Sequence, residues 1–268
     1  CGHHLFGAAS AWAAVAIKEW LVRTKTKGTI RFYGTPAEEG GSGKVYMVRA
    51  GLFDDVDAVL HWHPSSSNGA NAESSNSNKS AKFKFSGISA HAAGSPHKGR
   101  SALDGVEAMN MMVNMMREHI PQESRIHYVI TKGGLAPNVI PDVAEVYYYV
   151  RNPRREKVKE IFNWVVKAAE GAAMGTETTM KYEVMHGNYS KLPNHVLQKI
   201  MHKNLVKRGG VKYSKEEKEY AEEIYKTMFS PGSKIGDQEK VSPYTSSHTY
   251  GSTDVGDVSW VVPQAGLR

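Results

Sequence analysis

The most constraining feature of this chain is a change of period in its middle third. After a run of Ser, Asn and other small residues from Ser65 to Ser80, the segment Ala81-Lys-Phe-Lys-Phe-Ser86 alternates apolar and polar side chains. Strict alternation predicts a strand with one face buried and one face wet. The period then lengthens to that of a helix from Ser101 to His119, where Met109, Met111, Met112, Met115 and Met116 fall. Methionines at helical spacing fill cores and interfaces far more often than they bind a cofactor. Two more strand-like runs follow, Ile126 to Thr131 and Ala144 to Val150, then a second helical run, Arg154 to Ala173, and a strand from Thr178 to Val184. The order β-α-β-β-α-β is that of a ferredoxin-like sandwich, which is a complete small domain.

The flanking segments read differently. Leu5 to Arg23, rich in Ala and carrying Trp12 and Trp20, predicts a helix packed on a sheet. Gly28 to Gly34 predicts a short strand, and Ser42 to Ala50 a helix with Ser42 as N-cap and Gly51 as the residue beyond its end. Asp57 to His63 is again strand-like, and Ser65 to Ser80 reads as a linker or exposed loop. Helices return at Asn194 to Arg208 and Ser214 to Met228. Alternating strands and helices imply a parallel α/β layer. The expected organisation is therefore a larger α/β domain, 1–76 and 188–268, interrupted by a small domain at 77–187.

Composition excludes several functions. The 268 residues are 40% hydrophobic and 23% charged, which is ordinary for a globular chain. No apolar run is expected to reach the roughly 20 residues that span a bilayer, so no membrane role is expected. One cysteine forbids an intrachain disulfide and fits a reducing, cytoplasmic setting. The net charge of +7 comes from Lys and Arg dispersed along helices, with no basic groove interleaved with aromatics, so no nucleic-acid partner is expected. A mild attraction for anionic small molecules is compatible with it.

Three short segments concentrate metal-ligand chemistry. Cys1-Gly-His3-His4 offers a thiolate and an imidazole at a helix start. Thr35-Pro-Ala-Glu38-Glu39-Gly-Gly places adjacent carboxylates beyond a strand, and His61-Trp-His63-Pro64 follows another. Ligands of open parallel sheets gather beyond the carboxyl ends of the strands. A Cys, His, Glu, His set suits Zn²⁺ or a similar divalent ion. Neighbouring glutamates diverge, so one can bind metal while the other takes a proton from metal-bound water. Singly, each segment reads equally as a satisfied polar residue, a solvated pair or a buried thiol. In the small domain, His91, Asn138 and Arg151 could grip an oxyanion and a carboxylate, or be a loop His, a capped turn and a surface Arg.

Taken together, Cys1-Gly-His3, Pro36-Ala-Glu38-Glu39-Gly-Gly, Leu60-His61, the Gly87 to Ala92 segment around His91, Gly133 to Asp142, and Gly251-Ser-Thr-Asp254-Val-Gly-Asp257-Val-Ser-Trp260 resemble the M20 family of metallo-peptidases and amidohydrolases, in its aminobenzoyl-glutamate hydrolase branch. The resemblance runs from end to end. It implies a zinc-peptidase-like catalytic domain, partial here, with an inserted ferredoxin-like dimerisation (lid) domain. It puts Cys1, His3, Glu39 and His61 at ligand positions for two divalent ions, Zn²⁺ or Mn²⁺, and Glu38 at the general-base position. His91 matches a lid histidine that reaches into the site of the other protomer, and Asn138 and Arg151 match substrate-contacting positions. The implied reaction is hydrolysis of an N-acyl amino acid, p-aminobenzoyl-glutamate in this branch. Other acyl amino acids or dipeptides are the alternative substrates, and a metal-free binding or dimerisation module is the rival from another class. A homodimer through the lid domain is implied, with a related second chain as the alternative partner. His4 departs from the Asp or Asn common at that place. The family's last ligand His is expected beyond Trp260, and His248, which precedes that motif, is not assigned to it. Lacking that ligand and the family's leading strands, the 268-residue chain is expected to be inactive and poorly stable alone.

Overall fold

The alternating run forms the central region of a four-stranded antiparallel sheet. The computed structural model describes residues 2–268. In chain order the main elements are α1 (Phe6–Thr24), α2 (Gly43–Arg49), β1 (Val59–Trp62), β2 (Ala72–Ser75), β3 (Ser77–Ser86), α3 (Ala102–Met116), β4 (Arg125–Lys132), β5 (Val143–Asn152), α4 (Arg155–Gly175), β6 (Thr179–Asn188), α5 (His195–Arg208), α6 (Lys215–Lys226), β7 (Ser246–Thr249), α7 (Val255–Ser259) and β8 (Gln264–Leu267).

The small domain has sheet order β4-β5-β3-β6, which is the ferredoxin-like arrangement. Every second residue of β5 from Ala144 to Asn152 is buried. Ala81, Phe83 and Phe85 of β3 join Ala144, Val146, Tyr148 and Val150 of β5 beneath α3 and α4, which contribute Val106, Met109, Val113, Phe162 and Val165. Met111 and Met115 remain exposed beside Tyr128 and Ile130 of the sheet-edge strand β4, and Met112 is exposed beside Gly171 of α4. Polar groups on this face are satisfied internally: the Tyr148 hydroxyl donates to Asn110 Oδ1 at 2.5 Å, and Asn152 Nδ2 donates to Ser124 Oγ at 2.9 Å. The opposite face of the sheet carries Asn78, Ser80, Tyr147, Tyr149, Arg151 and His186, and it turns toward the flanking segments.

Those segments differ from expectation in three places. Ser65 to Ser80 is no exposed linker. Ala72–Ser75 pairs in parallel with Ser246–Thr249, and Ser75, Asn76, Ser77, Asn78 and Ser80 are buried. Small hydroxyl and amide side chains are used there because the seam must satisfy backbone groups from elsewhere. The amides of Ser190, Lys191 and Leu192 donate to Ser77 Oγ (2.8 Å), Ser75 Oγ (3.0 Å) and Ser259 Oγ (2.8 Å). Asn76 donates to the Tyr250 carbonyl at 3.0 Å and meets His248 Nε2 at 3.0 Å. His248, to which the sequence assigned no ligand role, is hydrogen-bonded within the seam to Ser74 and Asn76.

Gly28 to Gly34 forms no strand and pairs with none among the described residues, and Ile30 and Phe32 are exposed. Arg31 instead forks onto Asp55, at 2.6 and 2.5 Å. The helix at Leu5 to Arg23 is present, yet none of its side chains is buried, and Trp12 is 73% exposed. Its start packs, with Phe6 edge-on to Trp62 and Ser10 Oγ accepting from Trp62 Nε1 at 3.1 Å, and near its other end Leu21 lies half-buried against Gly28. By length and composition alone, His3–Thr24 is long and apolar enough to cross a membrane. This corrects the reading that no stretch reaches that length.

The parallel pair β1-β8 is backed by α5, whose Gln198 side chain donates to the Gly266 carbonyl and accepts from its amide. A small apolar core of Phe53, Val258 and Val262, with Tyr33, Met47 and Val59, joins α2, α7 and β1. Gly51 follows α2 with φ +71°, as its position after the helix predicts.

Candidate active site

Glu38 and Glu39 sit on a turn that the backbone adopts at a cost. Ala37 and Ser42 have φ of 58° and 51°, a left-handed conformation that costs non-glycine residues about 1–3 kcal/mol each. Such strain persists only where the surroundings over-determine it. Here two clamps do so, both just after the glutamates. Ser42 Oγ bonds to Nδ1 of His186, on β6, at 3.1 Å. Ser42 therefore occupies the N-cap position of α2 without capping it. The Lys44 amide and its Nζ both donate to Asp254, at 2.9 Å each, and the Asp254 carboxylate is wholly buried. Asp254 belongs to the Gly251 to Trp260 motif, so that motif acts by pinning the glutamate turn. Asp257 of the same motif accepts from the Tyr189 amide at 2.9 Å, and burial pushes its carboxyl up from the usual range.

Of the ligand candidates, the structure brings together His3 and Glu39, with Nδ1 3.4 Å from Oε1. His3 Nε2 also lies 3.2 Å from His63 Nε2, and Phe6 stacks on the His3 ring at 5.2 Å. His63, just past the carboxyl end of β1, is a member of the candidate site that the sequence placed in a ligand-rich segment but to which it gave no ligand position. Its signal was its place two residues after His61, on the same face of the strand. His61 turns Nε2 to Gln264 Oε1 at 2.8 Å. Its ring lies against Gly266, where a Cβ would collide with the imidazole, so only glycine fits. Burial, with help from Lys191, pushes the His61 imidazole down to about 4, which keeps it neutral. Cys1 lies outside the described residues. Imidazole and carboxylate match a divalent ion in kind, and His3 and Glu39 stand in contact; among the described residues no three such groups converge on one point.

The substrate-gripping candidates divide between the two ends of the lid sheet. His91 accepts from the amides of Ala93 (3.2 Å) and Gly94 (2.9 Å) at Nδ1, so the neutral ring carries its proton on the exposed Nε2. The Asn138 carbonyl accepts from the Ala92 amide at 3.0 Å, and His91 bridges to Val139. Both residues belong to loops beyond the Ser86–Val143 end of the sheet. Arg151 lies opposite Asn78, eight residues back along β3. At about 3.4 Å per residue, that separates the two groups by roughly 27 Å. Only Arg151 shares an end with the glutamate turn: Glu39 acts electrostatically on Tyr149, the next residue but one on the same face.

The chain spans 60% or less of the length of the curated relatives it matches. Residues 74–177 match the M20 peptidase dimerisation domain. The chain is 43% identical to one of the two p-aminobenzoyl-glutamate hydrolase polypeptides of Escherichia coli, over 99% of this chain and 60% of that protein. It is 30% identical to the human Xaa-Arg dipeptidase, over 98% of this chain and 55% of that one. Among solved structures, an aminobenzoyl-glutamate utilization protein from Klebsiella pneumoniae shares the fold, with a TM-score of 0.59 at 21% identity over 87% of this chain and 55% of the other. Residues 74–177 are thus an M20 peptidase dimerisation domain, and along nearly its whole length the chain is similar to an amide hydrolase and a dipeptidase.

Proposed function

We propose that the protein is a metal-dependent amidohydrolase that cleaves the amide bond of an N-acyl amino acid, p-aminobenzoyl-glutamate being the substrate favoured by the 43% identical relative. The observation that carries this reading is the strained, doubly clamped turn that presents Glu38 and Glu39 beside His3. Members of the family depend on divalent metals. Cys1, His3, Glu39 and His61 would hold two ions, Zn²⁺ or Mn²⁺, with His61 exchanging Gln264 for metal. Bound there, the metal supplies Lewis acidity toward the amide carbonyl and toward water.

Glu38 is half-buried beside the pair and is the base: it takes the proton of the attacking water and passes it to the leaving amine nitrogen. His91, its Nδ1 already occupied, offers Nε2–H to the developing oxyanion. Because His91 and Asn138 lie at the far end of their own sheet, they serve the site of a second copy. This supports a homodimer formed through the lid domain, whose exposed edge strand and methionine face are available for pairing. The Escherichia coli hydrolase is named as two distinct polypeptides, both similar to this chain, which makes a related second chain the alternative partner. We assign the cytoplasm as the compartment, on the lone cysteine.

Glu38→Gln in the full-length, metal-loaded protein tests the reading. Metal content should be unchanged and turnover should fall at least a hundredfold, in line with the roughly 10²–10⁴ that a positioned base contributes. Unchanged turnover refutes it.

A further inference from the structure

The end of the lid sheet nearest Glu38 carries a hydrogen-bond chain that starts at the Ser42–His186 clamp and runs on to Tyr149 and Tyr147, two residues the mechanism above does not use. It runs from Ser42 Oγ to His186 Nδ1 (3.1 Å), from His186 Nε2 to the Tyr149 hydroxyl (3.0 Å), and from the Tyr147 hydroxyl to Tyr149 (3.3 Å). The proton positions follow from burial. Ser42 is buried, and among the described residues its hydroxyl proton has one acceptor, His186 Nδ1. Burial and the Arg151 charge push the His186 imidazole down, so the ring is neutral and its single proton sits on Nε2. Tyr149 then accepts from both His186 and Tyr147, and its own O–H is left to donate to a third group. Burial holds the phenol up at about 12, so it remains a donor.

What that third group is follows from the neighbours. The Arg151 guanidinium lies 5.4 Å from the Tyr149 ring centre. Its Nε is buried with no hydrogen-bond partner among the described residues. Directly across the ladder, both amide atoms of the buried Asn78 also have none. Buried polar groups are nearly always satisfied, so the two orphan donors, Arg151 Nε and Asn78 Nδ2, beside the free Tyr149 O–H, mark a place for an acceptor-rich guest, and the orphan Asn78 Oδ1 leaves room for one donor on it. A carboxylate, with two oxygens and about four lone-pair sites, is the complement.

We propose that the Tyr149 hydroxyl, aimed by His186 and Tyr147, donates alongside Arg151 to the carboxylate of the substrate's amino-acid part, and so selects acyl amino acids with a free carboxylate. Tyr149 is thus a specificity residue and His186 a positioning residue. The proposal rests on the hydrolase reading and deepens it.

The test uses the full-length, metal-loaded protein with p-aminobenzoyl-glutamate and its α-carboxamide. Losing one hydrogen bond to a charged group should raise Kd and KM for the acid about 10- to 100-fold, with kcat little changed. Tyr149→Phe should show this shift, and its values for the carboxamide should stay at the wild-type level, a split that a folding defect would not produce. His186→Gln should weaken the acid in the same selective way. An unchanged ratio of acid to carboxamide affinity in Tyr149→Phe, or no binding of the acid by the wild type, overturns the proposal. Failure of the hydrolase reading is separate and shows as undiminished turnover in Glu38→Gln.

Discussion

Removing the Asp254 carboxylate should damage both the fold and the site, by an amount that the geometry sets. In Asp254→Ala, the Lys44 amide and ammonium each lose a 2.9 Å bond, and Lys44 keeps a side chain only 14% exposed. Breaking a buried pair from one side costs about 3–5 kcal/mol, because the remaining charge is left uncompensated. Partial access of Nζ to water puts this case near the lower end, about 3 kcal/mol. Against a total stability of about 5–15 kcal/mol, that is a large fraction. Urea unfolding followed by circular dichroism measures it. The double change Lys44→Met, Asp254→Leu should cost much less, about 1 kcal/mol, since it removes both charges and leaves only the Lys44 amide without its acceptor. The single variant also releases one of two clamps on a turn with two strained residues, so turnover should fall further than global stability alone explains. A cost below about 1 kcal/mol for Asp254→Ala would refute the clamp.

Three other outcomes test the structure. Burial raises the Asp257 carboxyl above its ordinary 3.8, so the fold disfavours the ionised form. Its contribution is whole below 3.8 and is lost as pH rises through the raised value; Asp257→Asn should therefore gain stability relative to wild type at about pH 7 but not at about pH 3, by denaturant titration at both. Phe83→Ala, in the middle of the lid core, should cost about 3–5 kcal/mol, whereas Trp12→Ala, on the exposed α1, should cost less than about 0.5 kcal/mol in thermal unfolding. Gly266→Ala drives a methyl into the His61 ring and should cost about 1–3 kcal/mol while freeing His61 from Gln264, visible in the histidine signals of an NMR spectrum.

The lid domain was legible because its order is local. Period-two strands and amphipathic helices follow one another with short turns, and each segment's pattern names its buried face. The seam was not. Ala72–Ser75 finds its partner at Ser246–Thr249, far along the chain, and its Ser and Asn content reads as loop until the backbone amides it serves are known. Gly28 to Gly34 has strand composition, but composition does not supply a neighbour to pair with. At the site, adjacent Glu38 and Glu39 suggested two roles, since side chains one residue apart diverge, and those roles stand as part of the proposed function. Tyr149 and His186 gave no such signal. Their meaning comes from a face of the sheet and from Ser42, which is remote from both along the chain, and a pattern of spacing cannot show that.

The central claim is metal-dependent hydrolysis at the Glu38–Glu39 turn. Its most direct test is the release of p-aminobenzoate from p-aminobenzoyl-glutamate by the full-length protein loaded with Zn²⁺ or Mn²⁺, before and after treatment with a chelator. The account predicts measurable release, its loss with the chelator and its return with added metal. Protein that carries no metal, or hydrolysis that the chelator leaves untouched, would contradict it.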